Sequence, residues 1–310
     1  MGADDQHQTM ARGGISPAQE KQIARSLSPA VAWPTLALAA ILPLAFAAVA
    51  TAGWTGAWPL FACLPVLTFV SYAHYTLVHE AIHGNVVSGH RRLSWINPTV
   101  GWIGALGMGA GWPALQRTHV LHHAHTNTER DPDIQVKGTF WRLVGKWARS
   151  LPSALVPISL LRFTSPALYR RVEGLLSRRE IALMSAVNLG QIGLLLAAVA
   201  TGHLLEWAML WFLPTRLGIL LLNIFFQWLP HHPFDRTERY HNTRISLWPG
   251  AGLVLLQQNL HLMHHLWPSV PFYNYGRLYR ALHPVLLAEG SRIEGLMVGS
   301  RARRIATPAA

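Results

Sequence analysis

Four stretches of the chain are continuously apolar, and each is long enough to cross ~30 Å of hydrocarbon at ~1.5 Å of rise per helical residue. They run over 31–52, 57–78, 181–201 and 207–229; the first three carry no Asp, Glu, Lys or Arg, and the fourth carries only Arg216. Segments apolar on every side predict membrane-spanning helices, hence an all-α, polytopic membrane protein. A fifth apolar stretch, Trp95 to Trp112, is also uncharged, but Gly101, Gly104, Gly107, Gly109 and Gly111 interrupt it. Barely long enough to span and weakened by glycine, it reads as a re-entrant or interfacial hairpin. Gly84 predicts one helix end, Pro113 a helix start and Pro268 a helix stop.

Charge fixes an orientation for these spans. The connections at 53–56 and 202–206 hold no Lys or Arg, whereas 130–179 holds Arg130, Lys137, Arg142, Lys146, Arg149, Arg162, Arg170, Arg171, Arg178 and Arg179. The positive-inside rule therefore puts both termini and the long middle segment in the cytoplasm, with the protein in the inner (cytoplasmic) membrane. Residues 1–30 are then expected as a disordered N-terminal tail, 31–285 as one membrane domain with a cytoplasmic helical cap, and 286–310 as a C-terminal tail. Arg216, costly at midspan, is expected to face the bundle and to be satisfied by backbone or Asn223 rather than by a substrate or ion.

Composition agrees and adds one anomaly. Of 310 residues, 51% are hydrophobic and 13% charged, yet Lys+Arg number 26 against 14 acidic residues, a net charge of +12. The apolar content excludes disorder, and the lone Cys63 excludes a disulfide scaffold. With every basic residue but Arg216 on one side, anionic lipid headgroups are the expected partner, and no nucleic-acid motif is present. The anomaly is 17 histidines, more than the acidic residues.

Eight of them fall in three clusters: His79 and His83; His119, His122 and His123; His261, His264 and His265. Residues at i, i+3 and i+4 share a helical face, so each cluster points its imidazoles one way. With a non-crossing hairpin, all three clusters reach the same side of the membrane and can converge. Eight imidazoles exceed what one tetrahedral ion uses, so two metal ions are the economical count. His79-Glu80-Ala81-Ile82-His83 also matches the zinc metalloprotease signature with Glu80 as base, but that leaves the other two clusters unexplained.

These clusters resemble the membrane fatty acid desaturase and hydroxylase superfamily of all-histidine di-iron enzymes, over roughly residues 70–285. His122-His123-Ala124-His125-Thr126-Asn127 followed by Asp131-Pro132-Asp133, Trp228-Leu229-Pro230-His231, and the run from Gln258 to Tyr275 are similar to desaturase-like β-carotene hydroxylases of cyanobacterial type. Glu80, where carotenoid relatives often have Asp, and Thr126-Asn127-Thr128-Glu129 depart from that pattern and weaken the substrate assignment, not the metal assignment. The resemblance implies iron ligation by the eight histidines and His231, with His232 the weaker alternative, and an O2-dependent monooxygenase. The expected activity is 3-hydroxylation of β-ionone rings, giving zeaxanthin from β-carotene; a fatty acyl desaturase or hydroxylase is the alternative.

Around the ligands, His125, Asp131 and Asp133 are candidates to orient imidazoles, since a ligating histidine donates its second N–H to a carboxylate or carbonyl. Gln227 is a candidate to hold a metal-bound water, and Asn259 lies beside the third cluster. Trp267, Phe272, Tyr273 and Tyr275 are candidates to line the approach of a carotenoid or acyl chain from the bilayer. His74 is expected in the core, while His7, His90, His203, His241 and His283 receive no role. With no dinucleotide fingerprint and no Fe–S cysteine set in the sequence, electrons are expected from an external ferredoxin-like carrier and its reductase.

Overall fold

A computed structural model describes residues 13–297 and residue 299; His7 lies outside them. The chain is mostly helical. Helix α1 (Pro17–Ser26) is followed by α2 (Trp33–Trp54) and α3 (Leu60–Ile82), then by α4 (Ile96–Gly107) and α5 (Trp112–His125). The middle segment carries α6 (Phe140–Ser150) and α7 (Pro166–Glu173), leading to α8 (Arg178–Thr201) and to α9 (Leu204–His231), which contains two π-helical turns. The short α10 (His261–Leu266) and α11 (Tyr275–Ala288) follow, and β1 (Ile245–Ser246) pairs in parallel with β2 (Ile293–Glu294).

Helices α2, α3, α8 and α9 are long and apolar enough to cross a membrane. Helix α3 is the hub: 67% of its apolar window is buried, against 17% for α2, so α3 packs inside while α2 turns most of its surface outward. Trp33, Trp54, Trp58 and Trp95 are exposed near helix ends, where amphipathic rings suit a membrane–water boundary.

The glycine-rich stretch is a helical hairpin. At 12 residues α4 measures ~18 Å, too short to span. The chain turns at Met108–Gly111 and returns as α5, whose first turn holds Pro113 as expected. The glycines permit contact with α3: a Cβ on Gly104 would stand 2.7 Å from the His74 carbonyl oxygen. Gly109 has φ +61 and adopts the left-handed turn that bulkier residues avoid. Arg216 caps this tip through Nη2, which donates to the carbonyls of Met108 (2.8 Å) and Gly109 (3.0 Å), so backbone rather than Asn223 satisfies it. His74 is buried, with Nδ1 on the Val70 carbonyl at 2.8 Å.

Within the stretch expected as an N-terminal tail, residues 1–12 lie outside the described residues, while 17–26 form α1, started by a Ser16–Gln19 capping box and docked on the cap. Its Glu20 is buried and accepts from the indole of Trp267 (2.8 Å), the hydroxyl of Tyr240 (2.7 Å) and Arg239 (3.3 Å). The C-terminal boundary also moves, because α11 runs past residue 286 and β2 belongs to the cap. The membrane core and cap core meet at Leu38 and Leu256, which pack against both.

Candidate metal centre

Four elements bring nine histidines together. The last turn of α3 supplies His79 and its C-cap His83, one face of α5 supplies His119, His122 and His123, α10 supplies His261, His264 and His265, and the end of α9 supplies His231. Two groups of four result: His79, His83, His119 and His264, and His122, His231, His261 and His265, each with ligand atoms within 4.8 Å of one another. His123 lies between them, its Nε2 3.1 Å from that of His119 and 2.6 Å from that of His264.

The spacing fits cations. Nε2 atoms of His79 and His264 are 3.0 Å apart, those of His83 and His119 2.9 Å, those of His122 and His265 3.3 Å, and those of His261 and His265 3.2 Å. Nitrogens bound ~2.1 Å from one ion stand about 3 to 3.5 Å apart, whereas two bare lone pairs facing at that distance repel. The Nε2 of His231 is buried with no hydrogen-bond partner and points at the second group, its ring 4.6 Å from that of His122.

Orientation comes from behind the rings. Asp131 accepts from Nδ1 of His122 at 2.9 Å, and Asp133 stands 3.6 Å from the same nitrogen. Asp131 is itself fixed by the N–H groups of Asn127 and Asp133, both at 2.8 Å. Asn127, which the sequence did not single out, sets His231. Both hydrogens of its amide go to carbonyls, those of Arg236 and Asn242, each at 2.6 Å. Its oxygen therefore faces Nδ1 of His231 at 3.0 Å, and the imidazole must be the donor, leaving Nε2 as a lone pair toward the centre.

Electrostatics keep the lone pairs available. Burial first, then neighbouring imidazole charge, holds His83, His119, His261, His264 and His265 well below the ordinary histidine range, and His123 at about 3. These rings are neutral at pH 7. His122 is the exception: burial pulls it down, but the Asp131 hydrogen bond and the charges of Asp133 and Asp131 raise it overall. Burial pushes the Asp133 carboxyl up to about 6.

The other expected site residues divide between the centre and its surroundings. Gln227 donates to Asp133 at 3.0 Å, and Asn259 donates to the Ser246 carbonyl at 3.0 Å, holding β1 rather than an imidazole. His125 is partly exposed and engages Thr128 through its carbonyl. His232 packs its ring 4.8 Å from Trp228, outside both groups. Among the four aromatics, Trp267 is tied to Glu20, Phe272 is buried with its N–H on Glu80 at 3.1 Å, and the hydroxyl of buried Tyr275 meets Nδ1 of His264 at 3.2 Å. Tyr273 lines an open cleft, with Val31, Trp33 and Arg277.

A model of the fatty acid desaturase family matches residues 52–294, which contain all nine histidines. The chain belongs to the fatty acid desaturase family. The β-carotene ketolase of Paracoccus sp. (strain PC1) is 30% identical over 236 residues, covering 71% of this chain and 80% of that protein. The β-carotene ketolase of Paracoccus sp. (strain N81106 / MBIC 01143) is 26% identical over 215 residues, 67% and 74% of the two chains. The chloroplastic omega-3 fatty acid desaturase of Glycine max is 24% identical over 284 residues, 79% of this chain and 58% of that one. This desaturase-family member is an integral membrane oxidoreductase, a carotenoid-modifying or desaturase-type oxygenase with histidine clusters able to hold metal. Membership displaces the metalloprotease reading, and Oε1 of Glu80 accepts from the Phe272 N–H.

Proposed function

We propose that the protein is an O2-dependent di-iron β-carotene hydroxylase that adds 3-hydroxyl groups to β-ionone rings. The run from Gln258 to Tyr275 carries this reading, through its similarity to desaturase-like β-carotene hydroxylases. One iron is held by His79, His83, His119 and His264 and the other by His122, His231, His261 and His265, with His123 between. When bound, iron supplies the activation of dioxygen that attack on an unactivated C–H bond requires. The chain's own residues keep the imidazoles neutral or oriented, and the buried ring of Phe226 packs 5.5 Å from that of His79 and 5.6 Å from that of His261, giving the centre an apolar wall.

Overall, a ring C–H, O2, two electrons and two protons give a ring C–OH and water. The electrons come from a separate ferredoxin-like carrier and its reductase. The substrate enters from the bilayer, and loop charge puts the termini and the centre on the cytoplasmic side of the inner membrane, against anionic headgroups.

The names of the two Paracoccus relatives, both β-carotene ketolases, favour a second reading, oxidation of β-carotene to a ketone. Expression in β-carotene-producing cells with an active carrier separates the two by chromatography of the pigments. Hydroxylated rings are expected. Ring ketones would select the second reading, unchanged β-carotene with altered fatty acids would select an acyl-chain activity, and no product in either pool would overturn all three.

A further inference from the structure

The end of α9, which presents His231, is a place where the backbone has no local solution. The last carbonyls of a helix lack partners within it. The N–H that would reach the Leu229 carbonyl belongs to residue 233, which is Pro233 and has none. The next candidate donor, the N–H of Phe234, goes to the carbonyl of His231 at 2.6 Å and leaves Pro230 unserved.

Both gaps are filled by one residue. Arg244 is fully buried; its Nε donates to the Leu229 carbonyl at 2.8 Å and its backbone N–H to the Pro230 carbonyl at 3.0 Å. The guanidinium is held from behind, with Nη1 on Oε2 of Glu294 at 2.7 Å and Nη2 on the Leu296 carbonyl at 2.8 Å. Glu294 is placed by the parallel register that sets it against Ser246, and its Oε1 accepts from Arg292 at 3.2 Å. Arg292 in turn donates to the His232 carbonyl at 3.3 Å.

We propose that Arg244 and Glu294 are a positioning pair for the metal centre: Glu294 fixes the guanidinium, and Arg244 caps the turn that presents His231 to the group of His122, His261 and His265. This rests on the two-metal reading above. The other group draws on α3, α5 and α10 and does not depend on this turn, so loss of the cap weakens one metal and spares the other.

The test uses the full-length chain purified in detergent and titrated anaerobically with ferrous iron, counting iron per chain and following each site by Mössbauer spectroscopy. Wild type is compared with Arg244→Lys, Glu294→Gln, the double exchange Arg244→Glu with Glu294→Arg, and His231→Ala. Arg244→Lys and the double exchange are expected to weaken the second iron by about 10- to 100-fold, as His231→Ala does, and to leave the first unchanged. Glu294→Gln should fall between them and wild type. The double exchange restores opposite charges but puts no N–H opposite Leu229, so it should not rescue.

Rescue by the double exchange, wild-type affinity at both sites in Arg244→Lys, or equal loss of both irons would overturn the proposal. Amide exchange on the metal-free chain gives a readout independent of iron: His232 and Phe234 should exchange faster in Arg244→Lys, and unchanged protection would also overturn it. Failure of wild type to take up two irons would instead fall on the two-metal reading.

Discussion

Replacing Asp131 with Asn tests how the centre is preorganised, because the change keeps shape and removes only charge and one acceptor. The carboxylate is buried and meets three donors: Nδ1 of His122 at 2.9 Å, and the N–H groups of Asn127 and Asp133 at 2.8 Å each. An amide can turn its oxygen to only one side, so its NH2 must face a backbone N–H. The charge-assisted bond to His122 is worth about 1.5–3 kcal/mol and a buried unsatisfied donor costs about 1–3, a combined loss of about 2.5–6 kcal/mol. Against a typical total of about 5–15 kcal/mol the variant is weakened but still folds. Iron at the His122 group should bind about 10- to 100-fold more weakly, since the imidazole loses its orienting partner. Thermal unfolding of the metal-free chain in micelles and iron titration measure the two effects. A variant matching wild type in both would show that Asp131 is a solvated turn residue with no hold on His122.

Other outcomes follow from the same geometry. Gly104→Ala places a methyl 2.7 Å from the His74 carbonyl oxygen and should cost about 1–3 kcal/mol in unfolding assays, with iron stoichiometry unchanged. Arg216→Met strips the hairpin tip of its donor to Met108 and Gly109 and should cost about 1.5–3 kcal/mol, again without changing pigment product. Iron binding to the His122 group should weaken on acidification: a raised His122 keeps its proton to higher pH than an ordinary histidine, and the metal must displace it. Affinity therefore rises with pH through that value and levels off above it, and calorimetry in buffers of different ionisation enthalpy should report about one proton released per iron on the acidic side.

What the sequence makes visible is what is local. Apolar runs mark the spans because each helix buries itself by composition alone, and i, i+3, i+4 spacing sets the three histidine clusters within single helices. The glycines of 95–112 signalled a weak helix, yet Gly104 and Gly107 serve close approach to α3, which depends on a partner elsewhere in the chain. Asn127 and Arg244 escape notice for the same reason: each acts on α9 from more than ten residues away, through contacts no short window contains. Tyr275 and Trp267 look like lining aromatics in one dimension, but their polar tips serve His264 and Glu20. The Ser16–Gln19 capping box was present in the sequence as a helix start, although its docking surface was not.

The number and identity of metals in the purified wild-type chain bear most directly on the centre described here. Elemental analysis after anaerobic reconstitution should find two irons per chain, with Mössbauer parameters of nitrogen-rich ferrous sites, and His264→Ala should lose bound iron and turnover together. About one zinc and no iron, or full iron retention in His264→Ala, would contradict it.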